Sequence, residues 1–138
     1  MEQESPSSQR EYVYWLSRHP LTAEQWRVLE FLHGPTIAFK QKDLRTSLDE
    51  FLSALEVYCN YATVYLVAPQ VFMDTASRLG YCFRRFGSVE EPNDGRFHLR
   101  CVYEYRDGRC SVVLDYQDLQ RLDLLDESLV LNNTLSLE

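Results

Sequence analysis

The stretch 97–117, FHLRCVYEYRDGRCSVVLDYQ, has the clearest structural pattern in the sequence, because two runs rich in apolar and aromatic residues flank an Asp-Gly pair. Both central residues of a tight hairpin turn have positive φ, which aspartate and glycine accept more readily than most residues. With Asp107 and Gly108 in the turn, Arg106 faces Arg109. The sequence therefore predicts a β-hairpin at 96–117.

The register of this hairpin sorts its side chains by polarity. Successive side chains of a strand point to opposite faces, so one face is predicted to be wholly apolar or aromatic. That face comprises Phe97, Leu99, Cys101, Tyr103, Tyr105, Cys110, Val112, Leu114 and Tyr116. The other face is mostly polar, with Arg100 opposite Asp115 as a predicted cross-strand ion pair. A shift of one residue would reverse this sorting, so the pattern supports the register.

The same register argues against a disulfide or a metal site in the hairpin. Cys101 faces Leu114 and Cys110 faces Tyr105, so the two cysteines share a face but lie about 13 Å apart at ~3.3 Å per residue. That separation is too long for a disulfide or a shared metal ion. His98 points away from Cys101, which removes that pair as well.

The N-terminal part of the chain begins with strand and helix patterns. The run 12–16 is aromatic and β-branched, which favours a strand. Thr22 and Gln25 have the spacing of a capping box, in which each side chain bonds a free backbone amide of the first helical turn. A helix is therefore predicted from this box to the Gly-Pro pair at 34–35.

Two further helices are predicted on either side of a short strand. Apolar residues recur at helical spacing through 43–60, and Ser47 with Glu50 forms a second capping-box pattern that allows a later start. The run 63–67 is typical of a buried strand. Pro69 suits the first turn of the third helix.

Residues 81–86 have two interpretations. The third helix could continue through Gly80 to Gly87, at a cost of about 1 kcal/mol for the internal glycine. Alternatively Gly80 ends the helix and 81–86 forms a strand. The strand is favoured, because glycine commonly ends a helix.

These elements predict an α+β protein in which three helices pack on one face of a small, mainly antiparallel sheet that includes the hairpin. The 138 residues are 45% hydrophobic and 25% charged, a composition typical of one globular domain. Residues 1–9 are polar and predict a disordered tail, which leaves 10–138 as the domain. A short helix is predicted to begin at Asp118.

The charge and the termini restrict the classes of partner. Fourteen basic and 21 acidic residues give a net charge of −7, which disfavours binding to nucleic acid or to an anionic membrane. No run reaches the ~18–20 apolar residues of a membrane span, and the N-terminus lacks a signal-peptide pattern. We therefore expect a cytoplasmic protein with reduced cysteines and no membrane partner.

Catalytic motifs are missing from the sequence. It contains no P-loop, no HExxH and no CxxC motif. Its histidines, His19, His33 and His98, are scattered, and a lone histidine without a partner carries no mechanism. We therefore expect no catalytic residue, no bound metal and no cofactor.

Two groups of residues are candidates for binding. Arg84 and Arg85, with Arg78 and Arg100, form a basic cluster that could hold a phosphate, a carboxylate or an acidic partner surface. These arginines could equally pair with the chain's own carboxylates. In the tail, the alternating leucines could complete the domain's own sheet or pair with another chain. They are Leu129, Leu131, Leu135 and Leu137.

Three functions remain as hypotheses. The first is a non-catalytic protein–protein interaction or regulatory module, an adaptor or inhibitor acting through an aromatic and acidic surface and the leucine-rich tail, with another protein as partner and a homodimer as the expected state. The second is a winged-helix-like DNA-binding regulator, with 69–86 as recognition helix and 96–117 as wing. The third is a small α+β enzyme, which a carboxyl group of strongly raised pKa beside Arg84 or Arg85 would support.

Overall fold

The computed structural model describes residues 12–34, 38–43, 46–90 and 97–125. Strands and helices alternate along the first two thirds of this part of the chain, and a hairpin and a short helix follow. The elements are β1 (Tyr12–Leu16), α1 (Ala23–His33), β2 (Ala38–Lys42), α2 (Leu48–Cys59), β3 (Thr63–Leu66), α3 (Gln70–Arg78), β4 (Phe83–Glu90), β5 (Phe97–Arg106), β6 (Arg109–Leu114) and α4 (Tyr116–Arg121).

The six strands of the described residues form one mixed sheet in the order β2-β1-β3-β4-β5-β6. β1 lies parallel to both β2 and β3, and β3 lies parallel to β4. β4, β5 and β6 are antiparallel, and their ladders pair more residues than the parallel ones do. The predicted α+β class with a mainly antiparallel sheet is therefore confirmed, and the parallel strands are an addition to it.

Helices cover both faces of the sheet, whereas the sequence predicted them on one. The crossovers β1-α1-β2 and β2-α2-β3 run in opposite directions across the sheet. Because such crossovers are right-handed, α1 and α2 must lie on opposite faces. We call these the α1 face, which α4 also covers, and the α2 face, which α3 also covers.

Each face has its own hydrophobic core. On the α1 face, Val28 and Leu29 of α1 and Leu119 of α4 pack against sheet residues that include Val13 and Trp15. The core on the α2 face contains the buried apolar residues of α2 and α3. These are Phe51, Leu55, Met73 and Ala76, which pack on Leu16, Val64, Leu66, Phe83 and Tyr105.

Side-chain caps mark the starts of three helices, and the cap at Thr22 confirms the predicted start of α1. Thr22 Oγ1 accepts a hydrogen bond from the Gln25 backbone N–H at 3.1 Å, and the Gln25 side chain accepts one from the Thr22 N–H at 2.9 Å. Ser47 caps α2, so this helix begins at Leu48 and not at residue 43. The last helix is capped by Asp115 and begins at Tyr116, slightly before the predicted start at Asp118.

The interpretation of 81–86 as a strand is also confirmed. α3 ends at Arg78, Gly80 has a φ of 88°, and β4 begins at Phe83. The recognition helix at 69–86 that a winged-helix protein would need is therefore not formed. In the described part of the chain, no helix has the length and apolar character that crossing a membrane requires.

The hairpin turn is the predicted one. Asp107 and Gly108 have φ values of 54° and 77°, as a two-residue turn of this type requires. The ladder follows the predicted register from the pair Arg106–Arg109 as far as Tyr103 and Val112.

Beyond that point two irregularities change the pairing. Val102, and not Cys101, lies opposite Leu114, which leaves Val113 as an extra residue in β6. A second shift against β4 makes Arg100 an extra residue in β5, since Gly87 faces Cys101 while Ser88 faces Leu99. Each extra residue is a β-bulge, which re-aims the side chains that follow it.

The bulges divide the predicted apolar face between the two cores. Leu99 and Leu114 of that predicted face pack in the core on the α1 face, whereas Tyr105 packs on the α2 face. Val102, which was predicted on the polar face, also packs in the core on the α1 face. The physical reason is that both faces are covered by helices, so both require apolar side chains from β5. Asp115 lies beyond the end of β6, and the Arg100 guanidinium lies over the Tyr116 ring at 4.6 Å.

Candidate functional site

One crevice lies at the carboxyl ends of the parallel strands. The chain leaves β1 toward β2 on one side and leaves β3 toward β4 on the other. In sheets of this kind, ligands bind outside the carboxyl ends of the strands, at the point where the connections diverge. In this protein that point lies between the segments 17–22 and 67–69, which follow β1 and β3.

Two cavities open at this point. Their volumes are about 380 and about 530 Å³, within the range of ~300–1,000 Å³ that is typical of ligand sites. Both are lined by Ser17, His19, Val67 and Ala68. We refer to the two cavities together as the crevice.

The segment after β1 is held rigidly by hydrogen bonds. Ser17 is only 5% exposed, and its hydroxyl accepts the His19 backbone N–H at 3.1 Å. The Trp15 indole N–H donates to the His19 carbonyl at 2.6 Å. From β2, the Gln41 amide donates to the carbonyls of Ser17 and His19 at 2.9 and 3.0 Å. A site on this segment is therefore preorganised by side chains from two strands.

Arg85 forms the wall of the larger cavity on the β4 side. Its Nε donates to the Tyr105 hydroxyl at 3.1 Å, and its guanidinium lies over the Tyr103 ring at 4.4 Å. A guanidinium has five N–H donors, of which the bond to Tyr105 uses one. Stacking on an aromatic ring orients the planar group, which suits recognition of a carboxylate or phosphate.

The crevice is locally basic in an acidic protein. Arg18 and His19 line it from the β1 side and Arg85 from the β4 side, against one carboxylate, Asp43. Apolar side chains, including Phe51 of α2 and Phe72 and Met73 of α3, complete its walls. This arrangement can hold an anionic group with apolar surface next to it.

Arg84 lies on the opposite face from Arg85, because adjacent residues of a strand alternate. Its Nη1 donates to the Tyr65 hydroxyl at 2.9 Å, and its Nε contacts Glu104 at 3.4 Å. His33 also contacts the Tyr65 hydroxyl, at 2.8 Å. Burial lowers the pKa of Arg84, but Tyr65 and Glu104 outweigh this and raise it overall. Arg84 therefore joins an internal polar network.

The predicted basic cluster is thus not one site. Arg78 lies exposed at the end of α3, where it contacts the Thr75 hydroxyl at 3.4 Å, and Arg100 lies over Tyr116. Of the four predicted arginines, only Arg85 lines the crevice. The predicted leucines lie outside the described residues. They are Leu129, Leu131, Leu135 and Leu137.

Ser17, Arg18 and Gln41 were not predicted as site residues. The one signal for Ser17 and Arg18 in the sequence is a short polar segment that directly follows an apolar strand, and Gln41 has no signal of its own. That signal acquires meaning only when β1 is known to have parallel neighbours on both sides. The exposed aromatic residues Trp26 and Phe31 lie on α1, outside the crevice lining.

Comparison of the chain with known proteins gave no match to any family model, to any curated protein or to any solved structure. The geometry of the crevice therefore provides the basis for the function proposed below.

Proposed function

We propose that the protein is a non-catalytic binding module that captures an acidic group of a partner protein in the crevice. The observation that carries this proposal is the position of Arg85. Its guanidinium is oriented by Tyr103 and Tyr105 at the wall of a cavity that Ser17 and His19 also line.

The charges of the crevice favour an acidic ligand. A hydrogen bond to a charged group contributes about 1.5–3 kcal/mol, more than a neutral one. His19 lines the same cavity as Arg85, whereas Arg18 and Asp43, which have opposite charges, line only the smaller cavity. Because the rest of the protein carries excess negative charge, this basic crevice also directs an acidic group to one place on the surface.

The rim of the crevice favours a protein as the source of that group. Val67, which lines both cavities, is an apolar residue that is 58% exposed. An acidic side chain flanked by apolar residues would place its carboxylate near Arg85 and an apolar neighbour on Val67. This proposal assigns the expected interaction function to residues that the structure describes.

The test uses a short peptide, acetyl-Leu-Asp-Leu-amide, titrated into labelled protein and followed by amide NMR shifts. We expect shifts at 17–19 and 67–69, and weaker binding by at least about tenfold in Arg85→Gln, since 1.4 kcal/mol corresponds to tenfold. Arg78→Gln removes the same charge at an exposed site on α3 and is the matched control.

Two further titrations test which chemical features of the ligand the crevice recognises. Acetyl-Leu-Asn-Leu-amide has nearly the same shape without the charge, and inorganic phosphate has the charge without the apolar residues. We expect the aspartate peptide to bind more tightly than either. Equal binding of the asparagine peptide, or an Arg85→Gln variant that binds as well as Arg78→Gln, would contradict the proposal.

A further inference from the structure

We infer that β6 pairs with β6 of a second copy of the chain, antiparallel about a two-fold axis at Ser111, so that two sheets join into one. The inference is independent of the crevice, which lies at the carboxyl ends of the parallel strands. It specifies the surface through which the expected homodimer forms.

β6 is the less protected of the two sheet edges. Among the residues that the structure describes, the sheet ends at β2 on one side and at β6 on the other. β2 carries the exposed charges of Lys40 and Lys42, a feature that discourages pairing with another chain. β6 has no charged residue from Cys110 to Leu114, and Val112 is 54% exposed.

The hairpin turn determines which backbone groups of β6 point outward. The residues that flank a two-residue turn form a hydrogen-bonded pair, here Arg106 and Arg109. Pairs then alternate along an antiparallel ladder, so the backbone groups of Ser111 point toward β5. Those of Cys110 and Val112 point away from β5, toward the open edge.

Only one two-fold register joins these outward groups to each other. Antiparallel pairing about Ser111 places Cys110 opposite the partner's Val112, and Val112 opposite the partner's Cys110. The members of each pair then exchange backbone hydrogen bonds in both directions. Pairing about Val112 would instead place Cys110 opposite the partner's Leu114, whose backbone is directed to Val102 of β5.

The side chains are self-complementary in this register. A charged residue on the two-fold axis would face its own copy, and the axis position is the uncharged, exposed Ser111. The exposed Cys110 and Val112 meet their counterparts on one face of the joined sheet. Arg109 lies opposite the partner's Val113, one diagonal step from the partner's Asp115, which has the opposite charge.

The first test measures molar mass by light scattering over a range of protein concentrations. We expect a dimer in the wild type and a monomer in Ser111→Lys, because like charges then face each other on the axis. An equimolar mixture of Ser111→Lys and Ser111→Glu should form a dimer again. Unchanged thermal midpoints at low concentration will show that the variants are folded.

The second test locates the axis by a disulfide. Ser111 and the partner's Ser111 form a non-hydrogen-bonded pair with Cα atoms about 4.5 Å apart, which is within the range for a disulfide. In a Cys110→Ser background, we expect Ser111→Cys to cross-link on oxidation and Arg109→Cys not to. A monomeric wild type, a dimer that survives Ser111→Lys, or equal cross-linking at both positions would overturn the inference.

Discussion

Arg84 and Arg85 are neighbours in the sequence with opposite environments. Arg84 contacts Tyr65 and Glu104 on the α1 face, whereas Arg85 contacts two tyrosines and the crevice. The pair was predicted from its charge alone, and charge does not tell which face a side chain takes. To predict the face to which each side chain points, one must know the bounds of β4 and which helices cover each face of the sheet.

At the residue scale, Gly87 is the position that we expect to tolerate substitution least. An added Cβ would lie 2.5 Å from Cys101 Sγ and 2.9 Å from Tyr103 Cε2. We expect Gly87→Ala to lower the free energy of unfolding by about 1–3 kcal/mol, as is typical of overpacking. Denaturant unfolding measures this effect.

The control for this prediction removes the atom that the new methyl group meets. Cys101→Ala, combined with Gly87→Ala, takes away the Sγ contact and should restore part of the lost stability. Because Tyr103 supports Arg85, the single variant should also weaken binding of the acidic peptide. A single variant as stable as the wild type would show that the β4–β5 ladder moves apart easily.

The site residues in the segment after β1 could not be predicted from the sequence, for a different reason. Ser17 and His19 have no motif around them, and their importance comes from Gln41, which lies on another strand. The strand that carries Gln41, β2, was itself not predicted. Its sequence, AFKQK, has a single large apolar residue and lies at the edge of the sheet, so its hydrophobic pattern is weak.

At the element scale, the hairpin shows what local sequence determines. Its turn and the pairs nearest to it follow from the Asp-Gly signal, because the turn geometry sets the register. The bulges at Arg100 and Val113 do not follow from it. They arise because β5 contributes side chains to both cores, and it does so because helices cover both faces of the sheet.

The contact between α2 and the loop before β4 predicts a pH effect. The Cys59 thiol donates to the Cys82 carbonyl at 2.6 Å, and burial raises its pKa from 9.0 to about 11. Between these values the unfolded chain releases a proton that the folded chain keeps, so ionisation favours unfolding. The free energy of unfolding should therefore fall as the pH rises from 9 to 11.

Other groups also titrate in this range, so the measurement compares two variants. Cys59→Ser keeps a hydrogen-bond donor toward Cys82 but does not ionise there. We expect denaturant unfolding of the wild type to show a steeper loss of stability above pH 9 than unfolding of Cys59→Ser. Parallel curves for the two proteins would show that the thiol is accessible to water when the chain is folded.

At the scale of the whole molecule, the strand order could not be derived from the sequence. The runs that form β1 and β3 were identified, but two predicted strands can pair in either direction. Only the position of β2 and β3 on either side of β1 places helices on both faces. The same arrangement creates the crevice, so the best candidate site depends on the least predictable feature of the fold.

Because both cores share one sheet, we expect them to unfold together. Leu55 in the core on the α2 face and Leu29 in the core on the α1 face are both fully buried, and either change to alanine should cost about 2–5 kcal/mol.

Trp15 packs only in the core with Leu29. In a Trp26→Phe background its fluorescence therefore reports on the α1 face, while circular dichroism reports on all helices. Leu55→Ala should lower both midpoints equally, since a cooperative domain has one transition. A fluorescence midpoint that stays at its original value while the dichroism midpoint falls would mean that the two sides of the sheet unfold as separate units.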